Sequence, residues 1–167
     1  MHKQATETTI MNLVTPESFR NLVKHVTDFT QDKPLDKTLE SELNHQFPTN
    51  GKTFTAIFET CRTAIAAGWM CAREAGGIKY GRVIKPADEL WGFSVDIVDM
   101  NTVKGPHHRH PNGEIDMIMP LTDGAEFDNH GAGWLVYPAD SAHHPTVTNG
   151  HAIILYLLPQ GAIEFTR

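Results

Sequence analysis

From Ile78 onward the chain breaks into eight short runs: IKYGRVIK, GFSVDIVDM, EIDMIMPL, AEFDN, GWLVYP, HHPTVT, HAIILYLLP and AIEFTR. Each is apolar or alternates apolar with polar residues, and Gly, Pro, Asn or Asp separates it from the next. A period of two fits strands buried on one face. Short strands with regular turn signals build a small antiparallel barrel or sandwich.

Upstream the periodicity is helical. In TPESFRNLVKHVTDF, Thr15 is placed as N-cap and Pro16 at the first helical position, with Phe19, Leu22, Val23, Val26 and Phe29 on one stripe. PLDKTLESELNHQFP repeats Leu35, Leu39, Leu43 and Phe47 at helical steps before Pro48. GKTFTAIFETCRTAIAAGWMCAREAGG predicts a longer helix closed by Gly76-Gly77, with Phe54, Ile57, Phe58, Cys61 and Ile65 on its apolar face. The expected class is therefore α+β, with a helical subdomain over residues 1–76 and a β-barrel over 77–167. The helices should pack on the barrel or form a homodimer contact; a partner-binding helical module is the alternative.

A formal net charge of −6 argues against a nucleic-acid partner and requires a local Arg or Lys for any anionic ligand. Cys61 and Cys71, ten residues apart on one expected helix, would stand about 15 Å apart, too far for a disulfide. Buried, reduced thiols suit a cytosolic protein. The stretch MHKQATETTIMNLV has no apolar leader core, and no run approaches the ~20 apolar residues that span a membrane. A soluble cytoplasmic protein is expected.

The ten histidines are concentrated from His107 to His151. In GPHHRHPNGEIDMIMPL, His108 and His110 project from the same side of an extended strand, and Arg109 from the other. If Pro111-Asn112-Gly113 turns the chain back, Glu114 meets the two imidazoles across the ladder. Two imidazoles and a carboxylate suit a first-row divalent ion with positions left open. In GWLVYPADSAHHPTVTNG, a strand and a tight turn precede His143, a fourth ligand from a neighbouring strand; His144 is the alternative. His107 and His144 then remain as groups facing the ligands or substrate, and His130 and His151 as structural residues.

These two segments resemble the cupin family, whose motifs have the forms G-x5-H-x-H-x3,4-E-x6-G and G-x5-P-x-G-x2-H-x3-N. His108, His110 and Glu114 match the first, and Pro138, Asp140 and His143 the second. Asp140 stands where the pattern has Gly, a position Asp can fill in a left-handed turn. The flanking glycines are off register, and Asn149 lies beyond the pattern's Asn. More closely, the helical first half with HHRHPNGEIDMIMPL and GWLVYPADSAHHPTV resembles the 4-hydroxylaminobenzoate lyase family.

That resemblance implies conversion of 4-hydroxylaminobenzoate to 3,4-dihydroxybenzoate and ammonia in nitroaromatic degradation, with one divalent ion per chain (Fe, Mn, Zn, Ni or Co). Glu114, His107 and His144 are candidates for proton transfer, and Asp116, of the same strand parity as Glu114, for a general base. For the benzoate carboxylate, Arg82 ranks ahead of Lys104 for its planar fork. Tyr80 and Tyr137 are candidate substrate contacts, and Trp91, Phe93, Trp134 and Tyr156 could also wall an aromatic pocket. Two other classes fit the same ligands: an Fe(II)-dependent cupin dioxygenase acting on a catechol or related aromatic, and a non-catalytic small-molecule sensor.

Overall fold

The computed structural model describes residues 14–166, and among these three α-helices precede ten strands. The stretch searched for a leader lies, apart from Val14, outside the described residues. Helix α1, Pro16–Thr30, opens on a reciprocal cap: Ser18 N donates to Thr15 Oγ1 at 3.0 Å, and Thr15 N donates to Ser18 Oγ at 2.9 Å. Helix α2, Lys37–Gln46, is capped by Asp36, whose Oδ1 accepts from Leu39 N, so Leu35 falls before the helix. Helix α3, Lys52–Ala67, stops nine residues short of Gly76-Gly77, because Gly68 takes a left-handed cap at φ 90°. Cys71 therefore lies beyond the helix; both thiols are free.

The glycine pair instead turns a hairpin between β1, Arg73–Ala75, and β2, Ile78–Ile84, with φ 58° and 80°. Consecutive positive φ values match the twist of paired strands, and glycine adopts them without strain. The remaining strands are β3 Phe93–Lys104, β4 His108–His110, β5 Glu114–Pro120, β6 Glu126–Phe127, β7 Gly133–Tyr137, β8 Ser141–His143, β9 Thr146–Pro159 and β10 Glu164–Phe165. HHPTVT and HAIILYLLP are largely one strand, β9; Asn149 and Gly150 bend it with positive φ but do not end it.

The helical-then-strand order and the α+β class hold, and every pairing is antiparallel. The strands form two sheets: a seven-stranded one ordered β1-β2-β3-β9-β5-β7, with β6 on β9, and a three-stranded one ordered β10-β4-β8. Strand alternation gives the large sheet two different faces. On β5, Ile115, Met117 and Met119 join Phe19, Val23, Leu39, Leu43, Phe54 and Ile57 in a core beneath the helices. Ile118 points the other way, into a second cluster with Phe127, Leu135, Ile154 and Tyr156. Glu114 and Asp116 share the parity of Ile118 and so face away from the helices.

Helix α2 also covers the outer edge of the large sheet. Asn44 exchanges two 2.9 Å hydrogen bonds with the backbone of Trp134, and Glu40 Oε1 accepts from Val136 N at 2.9 Å. Unpaired edge groups that could recruit another chain are thereby satisfied. Trp134 is part of this helix-side core: its indole donates to Phe47 O and its ring packs on Phe47 and Phe54. Phe93 lies in the same core, and Trp91, half exposed, donates to Asp28 on α1, so these three do not wall a pocket by the histidines. No helix among the described residues is long and apolar enough to cross a membrane.

Candidate metal centre

Strand β4 is only three residues long, and its extended backbone sends His108 and His110 to one side. Their Nε2 atoms stand 3.1 Å apart. Arg109 points to the opposite side, where Nε and Nη2 donate to Glu164 Oε2 at 3.1 and 3.0 Å and Nη1 pairs with Asp140. Strand β8 pairs with β4 so that His143 sits directly opposite His108. Asp140, just before β8, adopts φ 66°, the left-handed turn that the motif's glycine would supply.

Gly113, at φ 85°, carries the chain from β4 into β5; a Cβ there would lie 2.7 Å from Tyr137 O. The turn does not fold β4 back into a ladder with β5. The two strands belong to different sheets, and Glu114 reaches the imidazoles across the gap between them.

The result is a compact cluster of His108, His110, Glu114 and His143, whose ligand atoms all lie within 4.8 Å of one another. His143 Nε2 is 2.9 Å from His110 Nε2 and 3.0 Å from His108 Nε2. Glu114 Oε2 is 3.1 Å from His110 Nε2 and 3.7 Å from His143 Nε2. Ligand atoms about 2.1 Å from one ion lie about 3.0 Å apart at right angles and about 3.4 Å apart in a tetrahedron. The three imidazole separations match the right-angle spacing. His144 is not in the cluster; its Nδ1 donates to Gly105 O at 3.2 Å.

Electrostatics fit a cation between these groups. Burial first, then neighbouring imidazoles, lowers His108 to about 4 and His110 to about 3, so both offer lone pairs at neutral pH. Burial pushes the Glu114 carboxyl up to about 8. Neither Glu114 oxygen accepts from an N–H or hydroxyl donor among the described residues, despite the 3.1 Å approach to His110; its carboxyl partner is Asp116. A buried carboxylate without donors is costly unless a cation compensates it. Asp116 is fully buried with no N–H or hydroxyl donor among the described residues, and burial, followed by the charge of Glu114 and its hydrogen bond to that carboxyl, raises its pKa.

Around the cluster, Tyr137 packs its ring 4.7 Å from that of His143 and lies nearly parallel to His110, with centroids 6.3 Å apart. His107 and His144 stand together, 4.9 Å between centroids, and His107 Nδ1 contacts Thr166 Oγ1. A pocket of about 410 Å³ opens beside His143 and His144 and is lined also by Asp128, Tyr137, Thr146 and Thr148.

The two cations expected at the benzoate carboxylate differ in their engagement. Arg82 is already engaged: Nε and Nη2 donate to Asp96 at 2.8 and 3.2 Å, and Nη2 also donates to Gly161 O. Lys104 is exposed and directly opposite Thr146, a pocket-lining residue. Tyr80 is 37% exposed on β2, near the free edge of the large sheet.

Two residues escaped the sequence reading. Asp128 bonds His143 and Tyr137; only its place in a turn-forming Asp-Asn pair marked it. Phe165, 67% exposed on β10, sets its ring 5.8 Å from that of His108, on the histidine side of the small sheet. The run AIEFTR marked a strand, but nothing in it indicated this neighbour.

The family model of 4-hydroxylaminobenzoate lyase matches residues 21–165. A Pseudomonas putida protein named 4-hydroxylaminobenzoate lyase is 31% identical over 152 residues, covering 81% of this chain and 86% of its own length. One of the same name from Nocardioides sp. (strain LMS-CY) is 31% identical over 144 residues, covering 81% and 85%. Among solved structures, an RmlC-like cupin protein from Ralstonia eutropha JMP134 is 12% identical with a TM-score of 0.44, covering 57% of this chain and 64% of that one. The DMSP lyase DddQ from Ruegeria pomeroyi DSS-3 is 16% identical with a TM-score of 0.44, covering 91% and 98%.

Proposed function

The chain belongs to the 4-hydroxylaminobenzoate lyase family, and on that premise we propose that it converts 4-hydroxylaminobenzoate and one water to 3,4-dihydroxybenzoate and ammonia. The observation that carries this reading is the convergence of His108, His110, Glu114 and His143 beside a pocket in a chain of that family. The reaction balances without oxidant or reductant. The N–O bond breaks, the neighbouring ring carbon gains one oxygen, and a second oxygen replaces nitrogen at its own ring carbon as ammonia leaves; the water and the hydroxylamine oxygen together supply both.

His108, His110, Glu114 and His143 would hold one divalent ion. Three imidazoles and one carboxylate are a mixed N/O donor set that would suit a first-row divalent ion such as Fe, Mn, Zn, Ni or Co. Such an ion supplies Lewis acidity toward the hydroxylamine oxygen and a lowered pKa for bound water. Burial and the Glu114 charge raise the Asp116 carboxyl, so this residue, on the same strand face as Glu114, is the candidate to carry and release a proton as charge moves in the site. His144, with Nδ1 donating to Gly105 O, keeps an Nε2 lone pair as a base. His107 is its neighbour in proton movement.

Lys104 is the anchor for the benzoate carboxylate, and Arg82 would have to leave Asp96 to compete with it. Tyr137 and Phe165 offer ring faces to an aromatic substrate. The Tyr137 hydroxyl donates to Asp128, so that proton is committed away from substrate.

The test is anaerobic incubation with 4-hydroxylaminobenzoate, measuring ammonia and 3,4-dihydroxybenzoate. Equal amounts of both are expected without dioxygen. Oxygen uptake matching product one for one would overturn the lyase reading in favour of a dioxygenase.

A further inference from the structure

Asp128 lies outside the ligand set, yet every acceptor bond it makes serves this corner of the molecule. Its Oδ2 accepts from His143 Nδ1 at 2.5 Å and from the Tyr137 hydroxyl at 2.6 Å. Its Oδ1 accepts from Thr146 N at 2.9 Å. The carboxylate is 11% exposed and His143 12% exposed, so water competes weakly for these bonds.

The backbone is bent to make this contact. Asp128 has φ 48° and Asn129 φ 67°, two successive left-handed residues with side chains. That conformation is uncommon outside glycine and persists where the surroundings over-determine it. Here Asp128 N donates to Thr146 O at 2.8 Å, and Phe127 and His130 exchange backbone hydrogen bonds around the turn.

We propose that Asp128 is the positioning residue of the metal centre. By accepting the Nδ1 proton of His143, it fixes the tautomer whose Nε2 lone pair is aimed at His108 and His110. By accepting the Tyr137 proton on the same oxygen, it holds that ring against His143 and His110. One carboxylate thus sets the direction of a ligand and the position of a pocket wall. The inference rests on the four-residue set holding a divalent ion; it does not depend on the substrate.

Cobalt(II) is the probe. Its affinity, by competition with a chromophoric chelator, and the visible spectrum of the cobalt protein are measured for the wild type, Asp128→Ala and Asp128→Asn. The expected loss of affinity is about 10–100-fold for Asp128→Ala, with an altered spectrum. Asp128→Asn, which keeps the shape and an acceptor oxygen, should fall between and guards against a misfolded Ala variant. Tyr137→Phe, which leaves the His143 bond intact, should lose much less.

In a His143→Ala background, Asp128→Asn should have no further effect on affinity, because its action passes through that imidazole. Wild-type affinity in both Asp128 variants would overturn the proposal. So would an equal loss with and without His143, which marks a merely structural residue. A wild type that binds no cobalt, or binds it equally after His110→Ala, overturns the centre itself and the role of Asp128 with it.

Discussion

His110→Ala is the sharpest test of the centre, because His110 is fully buried and lies within 3.1 Å of all three other ligand atoms. Structural zinc in small peptides is worth about 10–16 kcal/mol across four ligands; on that scale one ligand carries about 3 kcal/mol, or about two orders of magnitude in Kd. With free metal at about 100 times the wild-type Kd, binding stabilises the fold by about 2.7 kcal/mol. For a chain of this size that raises Tm by about 5–11 °C. At the same metal concentration the variant sits near its own Kd, gains about 0.4 kcal/mol and shifts by about 1 °C. Thermal unfolding followed by fluorescence, with and without added Mn(II) or Co(II), measures both shifts. Taking each difference within one variant removes the cost of the cavity left by the lost ring. A metal-induced shift in His110→Ala equal to that of the wild type would refute the assignment.

Met117 is fully buried but faces the helices, so Met117→Ala should cost about 2–5 kcal/mol in urea denaturation of the metal-free protein while leaving cobalt affinity unchanged. Lys104→Ala should raise KM for the benzoate by roughly tenfold, about 1.4 kcal/mol, and hardly at all for an analogue lacking the carboxylate; Arg82→Ala should affect both compounds equally, since it breaks the Asp96 pair. Burial pushes the Cys71 thiol up to about 12 and Cys61 higher still, so at pH 8 neither should react quickly with a disulfide reagent, and denaturation should release two reactive thiols. Rapid labelling of the native protein at pH 8 would show that the packing around Cys71 is wrong.

What could be read from the sequence was set by local geometry. His108 and His110 are two residues apart on a strand, and that spacing alone places them side by side. Thr15 and Pro16 announce a helix start through groups within one turn. Gly76-Gly77 misled because a helix stop and a tight hairpin both use glycine with positive φ; the hairpin won, and Gly68 had already ended the helix. Glu114 was assigned to the right cluster by the wrong route, since its approach depends on how two sheets meet and not on a ladder. The engagement of Arg82 was invisible because Asp96 is its partner only through the pairing of β2 with β3. Asp128 depends on tertiary structure in the same way: its partners lie nine, fifteen and eighteen residues away.

Three of the four candidate ligands hang from the small sheet and one from the large, and among the described residues no backbone ladder joins the two. An ion held by these four residues would therefore act as a clasp between layers as well as at the reaction centre. The strands it would fasten are short, and beside their own pairings the bond from Asp128 to His143 holds them to the large sheet; closing the intervening loops through ligation would remove further chain entropy from any state in which the layers part. Amide hydrogens of β4 and β8 should then exchange at rates that follow free-metal concentration, while those of β9 and the helices keep their own clock. Local order around the site and occupancy of the site become one equilibrium, and a cell short of the ion would hold a chain whose back is folded and whose front is loose.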